Sequence, residues 1–165
     1  MKKQKIEINY LEYNSIEELT EQEQRLLKAA NEAMLDAYAP YSKFYVGAAV
    51  LLTNKKIVKG NNQENVSYPA GLCAERVALF SASANYPNEE IVAIAICASS
   101  EIFEINQIVS PCGSCRQVMA EYERKANKSM RILLGSKSGK VLVFESVENL
   151  LPLMFFEEKL KAKNN

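Results

Sequence analysis

Cys73, Glu75, Cys112 and Cys115 are the residues of this chain whose types and spacing could do chemistry. They sit in two short motifs, Leu72-Cys73-Ala74-Glu75-Arg76 and Ser110-Pro111-Cys112-Gly113-Ser114-Cys115-Arg116. Three thiols at two helix starts supply three ligands for a zinc ion, and a fourth position left to water marks a catalytic site, because structural zinc sites normally close with four protein ligands. The chain has no histidine, so the usual general base is missing and the proton work falls to Glu75. Residues two apart on an ideal helix project about 200° apart. Glu75 is therefore poorly placed to chelate beside Cys73 but could reach over the open position, as a base and not a ligand. Cys112 and Cys115, three apart, share a helix face, and Gly113 between them is expected to allow close approach. Three thiolates around a dication leave a net charge of about −1, which weakens the metal as a Lewis acid. The positive ends of two helices offset part of that. Arg76 and Arg116 are both expected to return their guanidinium groups to the sulfurs.

Several elements must position these groups. Ser15 followed by Glu18 reads as a capping box, and Leu19, Leu26, Leu27, Ala30, Ala33, Met34 and Ala37 fall at helical spacing, so one amphipathic helix should run to about Tyr38. Pro40 stops it. Val46 to Thr53 and Ile57 to Lys59 read as a hairpin joined by Asn54-Lys55-Lys56, with Phe44 just before the first strand. Pro69 and Gly71 break the chain before Cys73 and place it at a helix start, and that helix ends near Tyr86-Pro87. Ile91 to Ala98 is an apolar run that reads as a central strand buried on both faces. Cys97 inside it is a small core residue, since it belongs to neither ligand motif. Ser99 to Val109 is a loop, and the second metal helix runs from Cys112 to about Ala126. Met130 to Gly135 and Lys140 to Phe144 are two more strands, and Val147 to Leu151 is a short helical piece before Pro152. Five strands and at least three helices make an α/β layered fold.

At 165 residues the chain suits a single domain spanning 1–165. Residues 1–14 form a charged lead-in with a brief alternation at Ile6, Ile8 and Tyr10, to which no function is assigned, and residues 157–165 form a charged tail expected to fray. Twenty basic residues balance twenty acidic ones, which leaves no electrostatic footprint for a nucleic acid. No apolar run approaches the roughly 20 residues that span a bilayer, and the Lys2-Lys3-Gln4-Lys5 start leads into no signal-peptide core. These features exclude a membrane partner and point to the cytoplasm, where thiols stay reduced.

The two cysteine motifs, together with Ala37-Tyr38-Ala39-Pro40-Tyr41-Ser42-Lys43-Phe44, Val46-Gly47-Ala48-Ala49 and Gly60-Asn61-Asn62-Gln63-Glu64-Asn65, resemble the small, homotetrameric, all-cysteine cytidine deaminases, within the pattern of zinc nucleobase deaminases. The resemblance implies a three-layer α-β-α fold with a mixed five-stranded sheet, one zinc per subunit and a homotetramer. It implies hydrolysis of cytidine and deoxycytidine to uridine and deoxyuridine plus ammonia, in pyrimidine salvage. It puts Phe44 against the pyrimidine ring, Asn62 and Glu64 on the ribose 3′-hydroxyl, and Phe155 in a neighbouring subunit's pocket. A carboxylate at that hydroxyl would repel a 3′-phosphate, which favours a free nucleoside over a polynucleotide. Glu75 would carry the proton from water to N3 and then to the departing amine. The rivals are a same-fold deaminase acting on a deoxynucleotide or an aminoacylated cytosine antibiotic, a polynucleotide editor, and a structural zinc module. The editor lacks a basic stripe, and the zinc module would need a fourth ligand.

Overall fold

The computed structural model describes residues 1–160. In chain order its elements are β1 (Leu11–Tyr13), α1 (Glu21–Leu35), β2 (Phe44–Leu52), β3 (Ile57–Asn61), α2 (Ala74–Asn85), β4 (Ile91–Ser100), α3 (Gly113–Ala126), β5 (Arg131–Gly135) and β6 (Val141–Phe144). The strands form one sheet in the order β1-β6-β5-β4-β2-β3. β4 and β5 are parallel, with α3 in the crossover that parallel strands require, and the other neighbours are antiparallel.

Alternation along the strands divides the core in two. Ala48, Val50, Ile94, Ile96, Ile132 and Leu134 pack against Ala74, Ala78 and Leu79 of α2 and Met119 of α3. Their sequence neighbours Ala49, Leu51, Ala93, Ala95, Cys97 and Leu133 pack against Leu26, Leu27 and Ala30 of α1. The sheet is thus covered on both faces, which is why β4 carries an unbroken apolar run. Two glycines set how close the layers come. A Cβ on Gly47 would lie 2.0 Å from the Ala30 carbonyl oxygen, and one on Gly60 would lie 2.4 Å from the Ala78 nitrogen. β2 therefore seats α1, and β3 seats α2 with its cysteine-bearing start.

The sheet has six strands where the sequence predicts five. The sixth is β1, which pairs Leu11 with Val143 and Tyr13 with Val141, so part of the charged lead-in covers the open backbone of β6. Tyr10 adds a ring contact to Phe144 at 5.5 Å between centroids. The first long helix begins later than its cap signal suggests. Ser15 caps a 3-10 turn at Ile16–Glu18 through Glu17, not Glu18, and the buried Leu19 interrupts the helix in an extended conformation. The capping box of α1 is instead Thr20 with Glu23. α1 ends at Leu35 and not at Tyr38, because Tyr38 gives its N–H to the Asn62 carbonyl and receives the Glu64 N–H. β4 runs on to Ser100, since its end pairs with Phe44 and Tyr45. At the other terminus Glu158–Leu160 form a helical turn; the rest of the tail expected to fray, residues 161–165, lies outside the described residues.

Candidate active site

Cys73 and Cys112 are the N-cap residues of α2 and α3, and neither thiol is spent on capping. The sulfurs therefore stand at the positive ends of two helices. Cys115, one turn into α3, is fully buried. The Sγ atoms of Cys112 and Cys115 are 3.4 Å apart, those of Cys73 and Cys112 are 3.9 Å apart, and all three lie within 4.8 Å of one another. Three thiolates on a tetrahedral zinc at about 2.3 Å would stand about 3.8 Å from each other, so the cluster fits that ion. The separations are far beyond the roughly 2.05 Å of a disulfide. Gly113 plays no part in the approach of the two α3 sulfurs: a Cβ there would meet nothing within 4 Å. Its expected role in close approach is corrected, because the helix start faces open space.

Among the described residues, Glu75 is the one buried polar or charged side chain, at 4% exposure. Burial pushes its carboxyl above the ordinary carboxylate range, and charge on Cys73 adds to that. Cys73 is pulled down to about 5, chiefly by the neighbouring Cys115 thiol, against burial and with help from Arg76. The Arg76 Nη2 reaches the Cys73 Sγ at 3.6 Å, as its spacing suggests. Arg116 does not do the equivalent. Its Nε donates to the Pro111 carbonyl at 2.7 Å and its Nη1 to the Leu150 carbonyl at 2.8 Å. The expectation that it returns to a sulfur is corrected: two unpaired carbonyls, one in the metal loop, take the guanidinium instead, so Arg116 fixes the backbone ahead of Cys112.

A cavity of about 640 Å³ opens onto Cys73, Glu75 and Cys112, with Phe44, Asn62 and Glu64 also in its wall. Five of the residues singled out from sequence, Phe44, Asn62, Glu64, Glu75 and Arg76, are thus brought to the metal cluster's cavity along with two of its thiols. The segment bearing Asn62 and Glu64 is tied to the metal loop by reciprocal Gln63 and Leu72 hydrogen bonds of 2.9 Å. Both polar side chains already hold their own surroundings. Asn62 accepts from the Val46 N–H at 2.7 Å and donates to the Phe44 carbonyl at 2.9 Å, which leaves one N–H and one lone pair. Glu64 accepts from the Tyr41 N–H at 2.9 Å and the Ser42 N–H at 3.2 Å. The Ser42 hydroxyl is the main cause that holds its carboxyl below the ordinary range. Phe155 is not in this cavity wall. It is 72% exposed, and its backbone exchanges two hydrogen bonds with the Gln117 amide, at 2.8 and 3.1 Å.

Sequence reasoning missed Tyr41 and Tyr68, which meet edge to face at 6.2 Å at the cavity rim, and Phe103, which stacks on Phe44. Nothing in the local sequence marks these pairings, because each contact joins residues distant in the chain. Cys97 is placed as expected of a core residue. It lies on the α1 face, its Sγ 3.9 Å from the Leu27 carbonyl, and burial pushes its thiol up to about 12. Register puts it on the opposite side of β4 from Ile96, which lines the cavity, so it cannot complete the thiol cluster.

Three thiols at two helix starts, with a buried carboxylate and a cavity beside them, define a site built for metal-assisted hydrolysis. Residues 20–129 match the cytidine and deoxycytidylate deaminase zinc-binding region, and the chain belongs to that deaminase family. A cytidine deaminase of Halalkalibacterium halodurans is 40% identical over 83% of this chain and 96% of its own length. A blasticidin-S deaminase of Bacillus cereus is 30% identical over 83% of this chain and 94% of its own. The crystal structure of a cytidine deaminase from Burkholderia pseudomallei, 40% identical, superimposes with a TM-score of 0.71 over 83% of this chain and 100% of that one. No helix among the described residues is long and apolar enough to cross a membrane.

Proposed function

We propose that this single-domain enzyme hydrolyses the free nucleosides cytidine and deoxycytidine to uridine and deoxyuridine with release of ammonia, as a homotetramer in the cytoplasm, in pyrimidine salvage. The observation that carries the reading is the buried Glu75 beside the three-thiol cluster, in a cavity walled by Phe44. Cys73, Cys112 and Cys115 hold the zinc, and Arg76 offsets their charge. A bound zinc ion supplies Lewis acidity, bringing proton loss from water toward neutral pH.

The protein's own groups do the rest. Phe44 offers a flat polarizable face to the pyrimidine, and the donor and acceptor left on Asn62, with Glu64, are the groups available to the ribose 3′-hydroxyl. Glu75, raised by burial, takes a proton from the attacking water and gives it to ring N3 as a C–O bond forms at C4. It then carries the proton of the new C4 hydroxyl to the exocyclic nitrogen, the C4–N bond breaks as the C4 carbonyl forms, and ammonia leaves. A group that both takes and gives a proton works best when its acidity is poised near the working pH, which is what desolvation of this carboxyl favours. Phe155, exposed and held only by its backbone, is offered to a neighbouring subunit's cavity.

Glu75→Gln tests the assignment. It should keep zinc, fold and assembly while turnover falls by at least about 10²–10⁴-fold, and near-normal ammonia release would sink it. Initial rates on cytidine, deoxycytidine, deoxycytidine 5′-monophosphate and blasticidin S decide the substrate class, with the two nucleosides expected to dominate. Sedimentation of the wild type should give the mass of four chains.

A further inference from the structure

Phe44 stands at the first residue of β2, where a strand end leaves a side chain few neighbours, yet its ring is not free. It stacks nearly parallel on Phe103, with centroids 6.0 Å apart and 17° between planes. Phe103 belongs to the loop that joins β4 to the Ser110-Pro111-Cys112 start of the metal helix. It does not line the cavity. It lines a separate groove with Ser99, Ser100 and Lys140 and is 53% exposed, so its apolar surface is only half used in folding.

The loop is tied where it would have to be tied to hold that ring. Phe44 and Ser100 are register partners at the ends of β2 and β4. One residue past the strand, the Glu101 N–H donates to the Lys43 carbonyl at 3.1 Å, and the Tyr45 hydroxyl donates to the Glu101 carboxylate at 2.8 Å. The Ile102 N–H then donates to the Ser100 hydroxyl at 3.3 Å. Glu101 thus fastens both residues that flank Phe44, and Phe103, two positions on, is delivered onto the Phe44 ring. An exposed aromatic held this way covers little apolar surface of its own; what it does is limit the orientations of the ring it meets.

We infer that Phe103 is a positioning residue for Phe44: the loop between β4 and α3 braces the ring that the substrate's pyrimidine is to lie against, without touching the substrate. The inference rests on the proposed role of Phe44. An aromatic pair of this geometry contributes beyond its buried area, so a freed Phe44 weakens substrate binding and leaves the proton chemistry at Glu75 alone.

The test is steady-state kinetics on cytidine with zinc-loaded Phe103→Ala, Phe103→Leu, Phe103→Tyr and Phe44→Ala. Phe103→Ala and Phe103→Leu should raise KM about three- to tenfold with kcat within about twofold, the range one aromatic pair can account for. Phe103→Tyr, which keeps the ring face, should have the wild-type KM, and Phe103→Ala added to Phe44→Ala should change KM no further. If Phe44→Ala raises KM while Phe103→Ala and Phe103→Leu leave it unchanged, the brace is wrong and the role of Phe44 stands. If none of the variants moves KM, the role of Phe44 falls and the brace with it. Phe103→Leu keeps the apolar volume, so its kinetics decide the matter even if the alanine variant folds poorly.

Discussion

Arg76 holds its Nη2 3.6 Å from the Sγ of Cys73. Arg116, at a comparable place on the other metal helix, gives its guanidinium to the carbonyls of Pro111 and Leu150. Two arginines that look alike in sequence therefore do different work. Arg76→Ala should retain zinc and lose about 10–100-fold in kcat, the usual cost of removing a partner from a metal ligand. Arg116→Ala should instead lower the melting temperature by about 5 °C, from the loss of two charge-assisted hydrogen bonds to backbone. Metal analysis, kinetics and melting on both variants check the contrast. Equal losses in kcat at unchanged stability would refute it.

Removing the metal should separate the cysteines by location. A chelator is expected to abolish activity and lower the melting temperature, because an ion bound only by the folded chain stabilises it. Added zinc should restore both. In the metal-free protein a thiol reagent should react with Cys73 and Cys112, which are accessible, while the buried Cys115 and Cys97 react only in denaturant. Rapid labelling of Cys97 in the native protein would contradict its place under α1.

Three glycine-to-alanine changes should rank by what the new Cβ meets. Gly47→Ala and Gly60→Ala drive it into backbone of α1 and α2, so each should cost about 1–3 kcal/mol or more by overpacking. Gly60→Ala should also reduce kcat, since α2 carries Cys73 and Glu75. Gly113→Ala meets open space and replaces glycine in a helix, so it should be neutral or stabilising by up to about 1 kcal/mol. Denaturant midpoints of the three variants decide the order.

Glu23 links the α1 cap to Arg131, 2.6 Å from its Nε. Burial alone would raise its carboxyl, but the Thr20 and Arg131 hydrogen bonds outweigh that and hold it below the ordinary value of 4.5. A carboxylate depressed in the folded state contributes stability above its unfolded value, and that contribution is lost as pH falls through the folded one. Glu23→Gln should therefore be less stable than wild type by about 1–2 kcal/mol near pH 7, with the gap closing below about pH 4. Urea melts at both pH values measure it, and a gap that does not depend on pH would remove the ionised pair from the account.

The chemistry and the elements that carry it were legible in the chain because both follow short-range rules. Thiol types, the three-residue step from Cys112 to Cys115, the breakers before Cys73 and the periodicities of three helices and five strands require no knowledge of distant residues. What only the tertiary structure decided is every contact made across elements. It brought Cys73 to Cys112 and buried Glu75 beside them. It sent one arginine to sulfur and the other to backbone. It committed Asn62 to β2 and Glu64 to the loop ahead of β2, recruited the lead-in as β1, and laid Phe103 on Phe44. The face taken by Cys97 belongs with these, since an apolar run such as Ile91 to Ala98 has no alternation to set its phase. The reason is physical: spacing along a chain fixes which side chains share a face, whereas strand register and layer packing fix which face they meet.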